Sequence, residues 1–194
     1  MQFVEKYFDE VKTIANLVSI TDIENMVKSL DRVRTNNGRV FVLGVGGSAG
    51  NASHMVNDLR KLCGIEAYAP TDNVSELTAR TNDEGFDTVF QGYLKVSKFN
   101  SNDAVFILSV GGGNKEKNVS VGLIKAIDHA IYKSGIVLGI VGKDNGYTAK
   151  MANVAVIVPN PEPSRVTPHS EAFQAVIWHC IVSHPTLQIN ATKW

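Results

Sequence analysis

Cysteine, net charge and long apolar runs are all scarce in this 194-residue sequence. Its two cysteines, Cys63 and Cys180, lie in apolar contexts, which predicts two free buried thiols rather than a disulfide framework. Nineteen basic and nineteen acidic residues give a net charge of zero, so no electrostatic argument supports binding to nucleic acid or an anionic membrane. No stretch approaches the roughly 18 apolar residues of a membrane span, and the N-terminal segment lacks a signal-peptide core. We therefore expect a cytoplasmic protein with neither nucleic acid nor membrane as a partner.

Short apolar runs alternate with segments of helical periodicity along the chain. Two helices are predicted first, over residues 2–18 and from Thr21 to about Asn36, with Thr21 as the cap of the second and Glu24 at the reciprocal position. Strands are predicted at 39–43, 65–69, 104–108, 136–141 and 154–158, and further helices at 73–81, 83–96, about 118–134 and about 168–183. Alternation of this kind predicts a parallel sheet covered by helices on both faces.

No linker, internal repeat or low-complexity segment divides the chain, so we predict one domain over residues 1–194. Within it, residues 37–185 form the α/β core, and residues 1–36 form the two helices that precede the first strand. The first helix is apolar over much of its surface. We therefore expect the N-terminal helices to pack against another subunit.

A glycine loop follows the first predicted strand directly, with the sequence Gly44-Val-Gly-Gly-Ser-Ala. A strand that leads through a glycine turn into a helix points several backbone N–H groups and the helix dipole at one spot, which suits an anion. Gly46 and Gly47 let the backbone approach a ligand closely, and Ser48 can add a hydroxyl donor.

A second glycine loop, Ser109-Val110-Gly111-Gly-Gly-Asn, follows the third predicted strand. Because ligands bind at the carboxyl ends of the strands in such sheets, both loops are expected at one ligand-binding edge. Further along, Asn118 and Ser120 are predicted to begin the next helix, where Ser120 can cap it and also contact a phosphate. Two serine-bearing loops suit a phosphate monoester better than a pyrophosphate.

Two other interpretations of the glycines stay open. Residues 44–49 match the dinucleotide-binding fingerprint with alanine in last place, and Glu66 could serve as its acidic partner. Alternatively, the glycines only form tight turns. A Walker-type site is excluded because neither loop contains Gly-Lys-Ser or Gly-Lys-Thr.

Four side chains form a candidate metal set. His54 and Asp58 lie four residues apart on the helix after the first loop, hence on one face; a surface ion pair is the alternative. The terminal helix adds Glu171 and His179, although His179 could be a core histidine with a buried partner. Together the four would suit a divalent metal such as zinc.

The spacing within the terminal helix constrains this ligand set. Eight residues of helix span roughly 12 Å, so Glu171 must precede the regular helix or the helix must lie across the site. His169 and His184 are interpreted as surface histidines.

These motifs together resemble the sugar isomerase (SIS) family, and within it the phosphoheptose isomerases. The matching segments, in chain order, are Gly-Val-Gly-Gly-Ser, His54-x-x-x-Asp58, Thr81-Asn82-Asp83-x-Gly85-Phe86, Leu108-Ser109-Val-Gly-Gly-Gly and Glu171…His179. The resemblance runs from about residue 3 to 185. It implies a flavodoxin-like, doubly wound, five-stranded parallel sheet and a homotetramer with active sites at subunit interfaces.

The resemblance also implies an activity: aldose–ketose isomerisation of sedoheptulose 7-phosphate to D-glycero-D-manno-heptose 7-phosphate through an enediol. Asp58 and His179 would be the acid–base pair, with zinc held by His54, Asp58, Glu171 and His179. The implied substrate contacts are Gly46, Gly47, Ser48, Asn82, Asp83, Ser109, Val110, Gly111, Ser120 and Glu171, with the three serines holding the phosphate.

Three single positions depart from the family pattern, and so does the second loop, which reads Ser-Val-Gly-Gly-Gly-Asn with a longer tail instead of Ser-Thr-Ser-Gly-Asn-Ser. Val45 replaces the usual asparagine, Asp58 the usual glutamate and Glu171 the usual glutamine. Two alternatives therefore stay open beside the heptose isomerase. One is a non-catalytic SIS protein that binds a protein partner or senses a sugar phosphate, and the other is an isomerase of another phosphosugar, such as arabinose 5-phosphate.

Overall fold

A computed structural model describes residues 2–192 of the chain. The strands are β1 (Arg39–Leu43), β2 (Glu66–Tyr68), β3 (Ala104–Ser109), β4 (Ile136–Val141) and β5 (Val154–Ile157). The helices are α1 (Gln2–Leu17), α2 (Ile20–Thr35), α3 (Gly47–Lys61), α4 (Val74–Glu84), α5 (Val89–Val96), α6 (Val121–Tyr132), α7 (Tyr147–Met151) and α8 (Val166–Val182). No helix in the described range is long and apolar enough to cross a membrane.

The five strands form one parallel sheet in the order β2-β1-β3-β4-β5. This is the flavodoxin-like order, in which the winding direction reverses between β1 and β3. The parallel sheet predicted from the apolar runs is therefore confirmed, and so is the doubly wound, five-stranded order that the family resemblance implies.

Successive strand residues face opposite layers of helices. Val40 and Val42 lie in a core with side chains of α1, α2, α3 and α8, whereas Phe41 and Leu43 lie in a second core with α5 and α6. Helices cover both faces of the sheet, and the central strand β3 is buried along its whole length. The sheet is thus a rigid base for the loops at its carboxyl edge.

Several helix boundaries differ from the predictions for local reasons. Ser19, not Thr21, caps α2, because its hydroxyl accepts a hydrogen bond from the Asp22 N–H at 3.2 Å. The helix predicted over 83–96 is broken at Gly85, which has a φ of 88° and starts a short 3₁₀ turn before α5. The five-residue helix α7 was not predicted at all.

Two predictions of burial were wrong. Cys63 is buried as predicted, and burial raises the pKa of its thiol to about 11, but Cys180 is exposed. His169, interpreted as a surface histidine, is fully buried, and its Nε2 lies 2.8 Å from Glu10 Oε2. Glu10 comes from α1, 159 residues earlier, so no local pattern around His169 indicates this partner.

Candidate active site

Both glycine loops leave the same edge of the sheet from neighbouring strands. β1 and β3 pair in parallel with Leu43 opposite Ile107. The first loop (residues 44–48) begins directly after Leu43, and Ser109, which opens the second loop (residues 109–120), comes two residues after Ile107. The topology therefore places the two predicted phosphate loops side by side, at the switch point where ligands bind in such sheets.

Backbone geometry explains the glycines of the first loop. Gly46 has a φ of 64° and a ψ of −130°, a conformation that a side chain would strain. Helix α3 then begins at Gly47, with Ser48 buried in its first turn. The first turn of a helix leaves backbone N–H groups without intrahelical partners, so this loop has the donors that an anion needs.

The second loop is held from behind by α7. The Ser109 hydroxyl accepts a hydrogen bond from the Gly112 N–H at 3.0 Å. Thr148 donates to the Gly112 carbonyl from both its N–H and its hydroxyl, each at 2.8 Å, and the Tyr147 N–H donates to the Gly113 carbonyl at 2.8 Å. The unpredicted helix is therefore what fixes this loop. The signal available in the sequence is the Gly146-Tyr147-Thr148 step after β4.

Ser120 does not cap α6 with its side chain as predicted. It stands at the N-cap position in a left-handed conformation, with a φ of 52°, and its side chain makes no capping hydrogen bond. Asn118 is also left-handed, and residues 114–119 close a small bridge before the helix starts at Val121.

The two loops share a cavity of about 420 Å³. Its lining residues are Val45, Phe86, Asp87, Phe90, Asn118, Ser120, Val121, Gly122 and Leu123. Val45 comes from the first loop and Ser120 from the second. Val45 stands where the family that the sequence resembles usually has asparagine. It therefore presents an apolar side chain to this cavity.

His54, Asp58 and His179 form a cluster between α3 and α8, here termed the α3–α8 cluster. One possible ligand atom from each lies within 4.8 Å of the others. Asp58 is mostly buried, and its Oδ1 accepts a hydrogen bond from the Asn57 side chain at 2.8 Å, while Oδ2 lies 4.0 Å from His54 Nε2. Both imidazoles are exposed, so the cluster faces outward from a buried carboxylate.

The orientation of His179 follows from a backbone contact. Its Nδ1 lies 2.7 Å from the carbonyl oxygen of Ala175, which can only accept, so Nδ1 carries the proton. Nε2 is thus left to bind a proton or a metal, as the backbone-held histidine ligands of metal sites do.

Glu171 stands apart from this cluster and lies against the first loop. A Cβ built on Gly47 would lie 2.5 Å from Glu171 Oε2, so the glycine makes room for this carboxylate. Asn51 donates to the Glu171 carbonyl at 2.9 Å and to Gln174 Oε1 at 3.0 Å, which ties α3 to this part of α8. Glu171 lies within the regular helix α8, so one chain does not bring it to His179.

Asn82 and Asp83 lie exposed at the end of α4, where the Asn82 amide donates to Asp83 at 2.8 Å. Neither lines the cavity between the loops. The nearby residues that do are Phe86 and Asp87, and Asp87 is paired with Lys125. The substrate contacts predicted for Asn82 and Asp83 stay predictions.

Comparison with known proteins agrees with this architecture. Residues 6–137 match the SIS domain family. The phosphoheptose isomerase of Sulfurimonas denitrificans is 31% identical over 184 residues, covering 92% of this chain and 89% of the relative. That of Helicobacter pylori is 27% identical over 177 residues, covering 86% and 88%.

Among solved structures, the phosphoheptose isomerase of Neisseria gonorrhoeae superposes with a TM-score of 0.78 at 24% identity, over 93% of this chain and 96% of that one. The fold and the two loops thus define an SIS domain. The chain belongs to the SIS domain family, in its phosphoheptose isomerase branch.

Proposed function

We propose that this protein isomerises sedoheptulose 7-phosphate to D-glycero-D-manno-heptose 7-phosphate, with the phosphate at the two loops and the sugar carbonyl at the α3–α8 cluster. The observation that carries the proposal is that one helix, α3, begins at the first glycine loop and also carries His54 and Asp58, which meet His179 of α8 in the cluster. Family membership supports the same activity.

The reaction needs only proton transfers. A base removes a proton from C1 of the ketose while an acid protonates the oxygen on C2, which gives the enediol. Returning a proton to C2 and removing the one on the C1 hydroxyl then gives the aldose. Asp58 and His179 are the two groups proposed for these transfers, one serving carbon and the other oxygen.

The residues of the α3–α8 cluster fit zinc. Two imidazoles and a carboxylate are typical zinc donors, and three protein ligands leave a fourth position for substrate or for Glu171 of another subunit. When bound, zinc supplies a Lewis acid that polarises the sugar carbonyl. His54, Asp58 and His179 would hold it.

Substrate positioning is assigned to the loops. Ser48, Ser109 and Ser120 are proposed to bind the phosphate together with the backbone N–H groups of the first loop. Binding the remote phosphate holds the open-chain sugar in register with the cluster, which lowers the barrier by orientation.

The proposal also includes a cytoplasmic homotetramer. Helix α1 exposes Phe3, Val4 and Phe8, which supports burial of this face against another subunit. Sedimentation velocity of the purified protein measures the assembly directly, and a monomer at micromolar concentration would contradict it.

The central test incubates the protein with sedoheptulose 7-phosphate and follows the appearance of the aldose by NMR. Replacement of Asp58 by Asn keeps the side-chain shape and removes the base, so we expect turnover to fall by about 10²–10⁴-fold. His184→Ala, two residues beyond the end of α8, is the matched control and should keep full turnover. Binding of the phosphosugar without any turnover by the wild-type protein would favour the sensing alternative instead.

A further inference from the structure

We infer that Trp178 is a positioning residue of the α3–α8 cluster, with its indole ring acting as the surface that orients both imidazoles toward a bound metal. This inference rests on the proposed function, because it takes the cluster to be a metal site.

Trp178 contacts both histidines of the cluster. Its ring centroid lies 3.5 Å from that of His179, with the planes 27° apart, and 4.7 Å from that of His54 at 66°. The two imidazole centroids lie 5.3 Å apart and nearly perpendicular. One indole therefore touches a histidine from α3 and a histidine from α8, and so it links the two elements that supply the ligands.

Contact with the Trp178 ring limits the rotation of both imidazoles. Trp178 is fully buried in the core between the sheet and helices α3 and α8, so its ring has little freedom of its own. His54 is exposed and would otherwise sample several rotamers, and the exposed His179 is also held by its hydrogen bond to the Ala175 carbonyl. A rigid aromatic wall reduces the ordering cost when a metal is bound, as outer-sphere groups do in other metal sites.

The indole N–H indicates that packing alone does not account for tryptophan here. Trp178 Nε1 is buried and has no hydrogen-bond partner among the described residues, whereas a buried tryptophan usually finds one. An unpaired buried donor lowers stability, and a wholly apolar side chain would not carry this cost. Leucine in place of Trp178 would lack the broad, electron-rich ring surface that contacts the two imidazoles, and phenylalanine would reduce it.

This surface favours the metal-bound state over the metal-free state. An imidazole that binds a cation becomes electron-poor, and the face of tryptophan attracts positive charge more strongly than that of any other side chain. Stacking of His179 on Trp178 is therefore expected to strengthen when metal is bound, which raises metal affinity without adding a ligand.

The experiment compares Trp178→Leu and Trp178→Phe with Phe106→Leu, a loss of aromatic volume from the same buried core on strand β3. Zinc affinity is measured by competition with a chromophoric chelator, and the geometry of the site by the visible spectrum of the cobalt-substituted protein. Turnover of sedoheptulose 7-phosphate gives kcat and KM separately, and thermal unfolding of the metal-free proteins reports stability.

We expect Trp178→Leu to lower zinc affinity by about 10- to 100-fold, to alter the cobalt spectrum and to reduce kcat with KM nearly unchanged. Trp178→Phe, which keeps an aromatic surface, should recover most of the affinity. Phe106→Leu should lose stability but retain zinc affinity and the wild-type cobalt spectrum.

Equal zinc affinity in Trp178→Leu and Phe106→Leu would overturn the inference. So would a wild-type protein that binds no zinc, and in that case isomerase activity would still support the proposed function. A wild-type protein that binds zinc through these residues but isomerises no phosphosugar would contradict the proposed function and leave the role of Trp178 standing.

Discussion

Helix α8 contributes a histidine to each of two imidazole–carboxylate clusters. The two clusters contain similar groups but differ in their burial and in the distance between imidazole and carboxylate. In the α3–α8 cluster, the side chains of His54 and Asp58 are 59% and 13% exposed, and His54 Nε2 lies 4.0 Å from Asp58 Oδ2. In the second cluster, termed the α1–α8 cluster, the side chains of His169 and Glu10 are 1% and 7% exposed and lie 2.8 Å apart. Arg165 completes the second cluster with hydrogen bonds of 2.5 and 2.8 Å to Glu10.

The difference lies in how fully each carboxylate is satisfied. Both oxygens of Glu10 already accept hydrogen bonds from cations or imidazole, which suits a structural link between α1 and α8. Asp58 keeps one oxygen facing an exposed imidazole at a distance too long for a hydrogen bond. Both clusters contain histidine and carboxylate. The candidate site differs in having a carboxylate oxygen that is not fully paired, on the helix that begins at the first glycine loop.

The largest effect expected from this comparison concerns activity. His179→Ala should reduce isomerase turnover by about 10²–10⁴-fold because it removes a proton-transfer group, with little change in Tm, since its ring is exposed. His169→Ala should keep the turnover of the folded protein but lower the free energy of unfolding by about 1.5–3 kcal/mol, since it breaks a buried hydrogen bond to a charged group. Steady-state kinetics and urea unfolding of both variants measure the two effects. A loss of turnover in folded His169→Ala as large as that in His179→Ala would erase the distinction between the clusters.

Most of the fold could be predicted from the sequence, because it depends on patterns within single segments. The β-branched runs identified all five strands, and the glycine loops located the ligand-binding edge. The helix α7 is only five residues long, too short for an amphipathic period to show. Cys180 shares a helix with buried residues, and only the packing of α8 shows that its own face is exposed.

The candidate site was predictable where its residues are close in sequence and not where it depends on tertiary contacts. His54 and Asp58 follow from helical spacing after a glycine loop. By contrast, the contact of Glu171 with Gly47 joins positions more than 120 residues apart, and so does the link from His169 to Glu10. No single-sequence pattern contains those pairings, which is why His169 was assigned to the surface.

A smaller effect concerns the acid stability of the α1–α8 cluster. Hydrogen bonds from Arg165, supported by His169, lower the pKa of Glu10 from 4.5 to about 2. The unfolded chain therefore takes up a proton near pH 4.5, while the folded protein resists it until about pH 2. The stabilisation is complete above the unfolded pKa and is lost as pH falls through this window.

The test of this pH dependence is urea unfolding of Glu10→Gln and wild-type protein between pH 5 and about 2.5. We expect Glu10→Gln to be less stable at pH 5 and to lose less further stability on acidification. The unfolding of Glu162→Gln is measured for comparison with that of Glu10→Gln. The pKa of Glu162 is also lowered to about 2, chiefly by its hydrogen bond from Lys6. Parallel curves for Glu10→Gln and the wild type would show that Glu10 is not what makes this cluster acid-sensitive.

The smallest effect concerns Glu171, which lies on α8 between the two clusters and belongs to neither. Its carboxylate lies against Gly47, where the proposed phosphate would also bind, so the two negative charges repel each other across a partly exposed site. Glu171→Gln removes this repulsion and keeps the shape, and we expect KM for the phosphosugar to fall by about 3- to 10-fold. Glu5→Gln, an equal change of charge on the exposed surface of α1, should leave KM unaltered. Because screening weakens the repulsion, the gap in KM between Glu171→Gln and wild type should narrow as salt is raised. A higher KM in Glu171→Gln would instead mean that this carboxylate binds the substrate or its metal directly, which would join Glu171 to the α3–α8 cluster in the assembled protein.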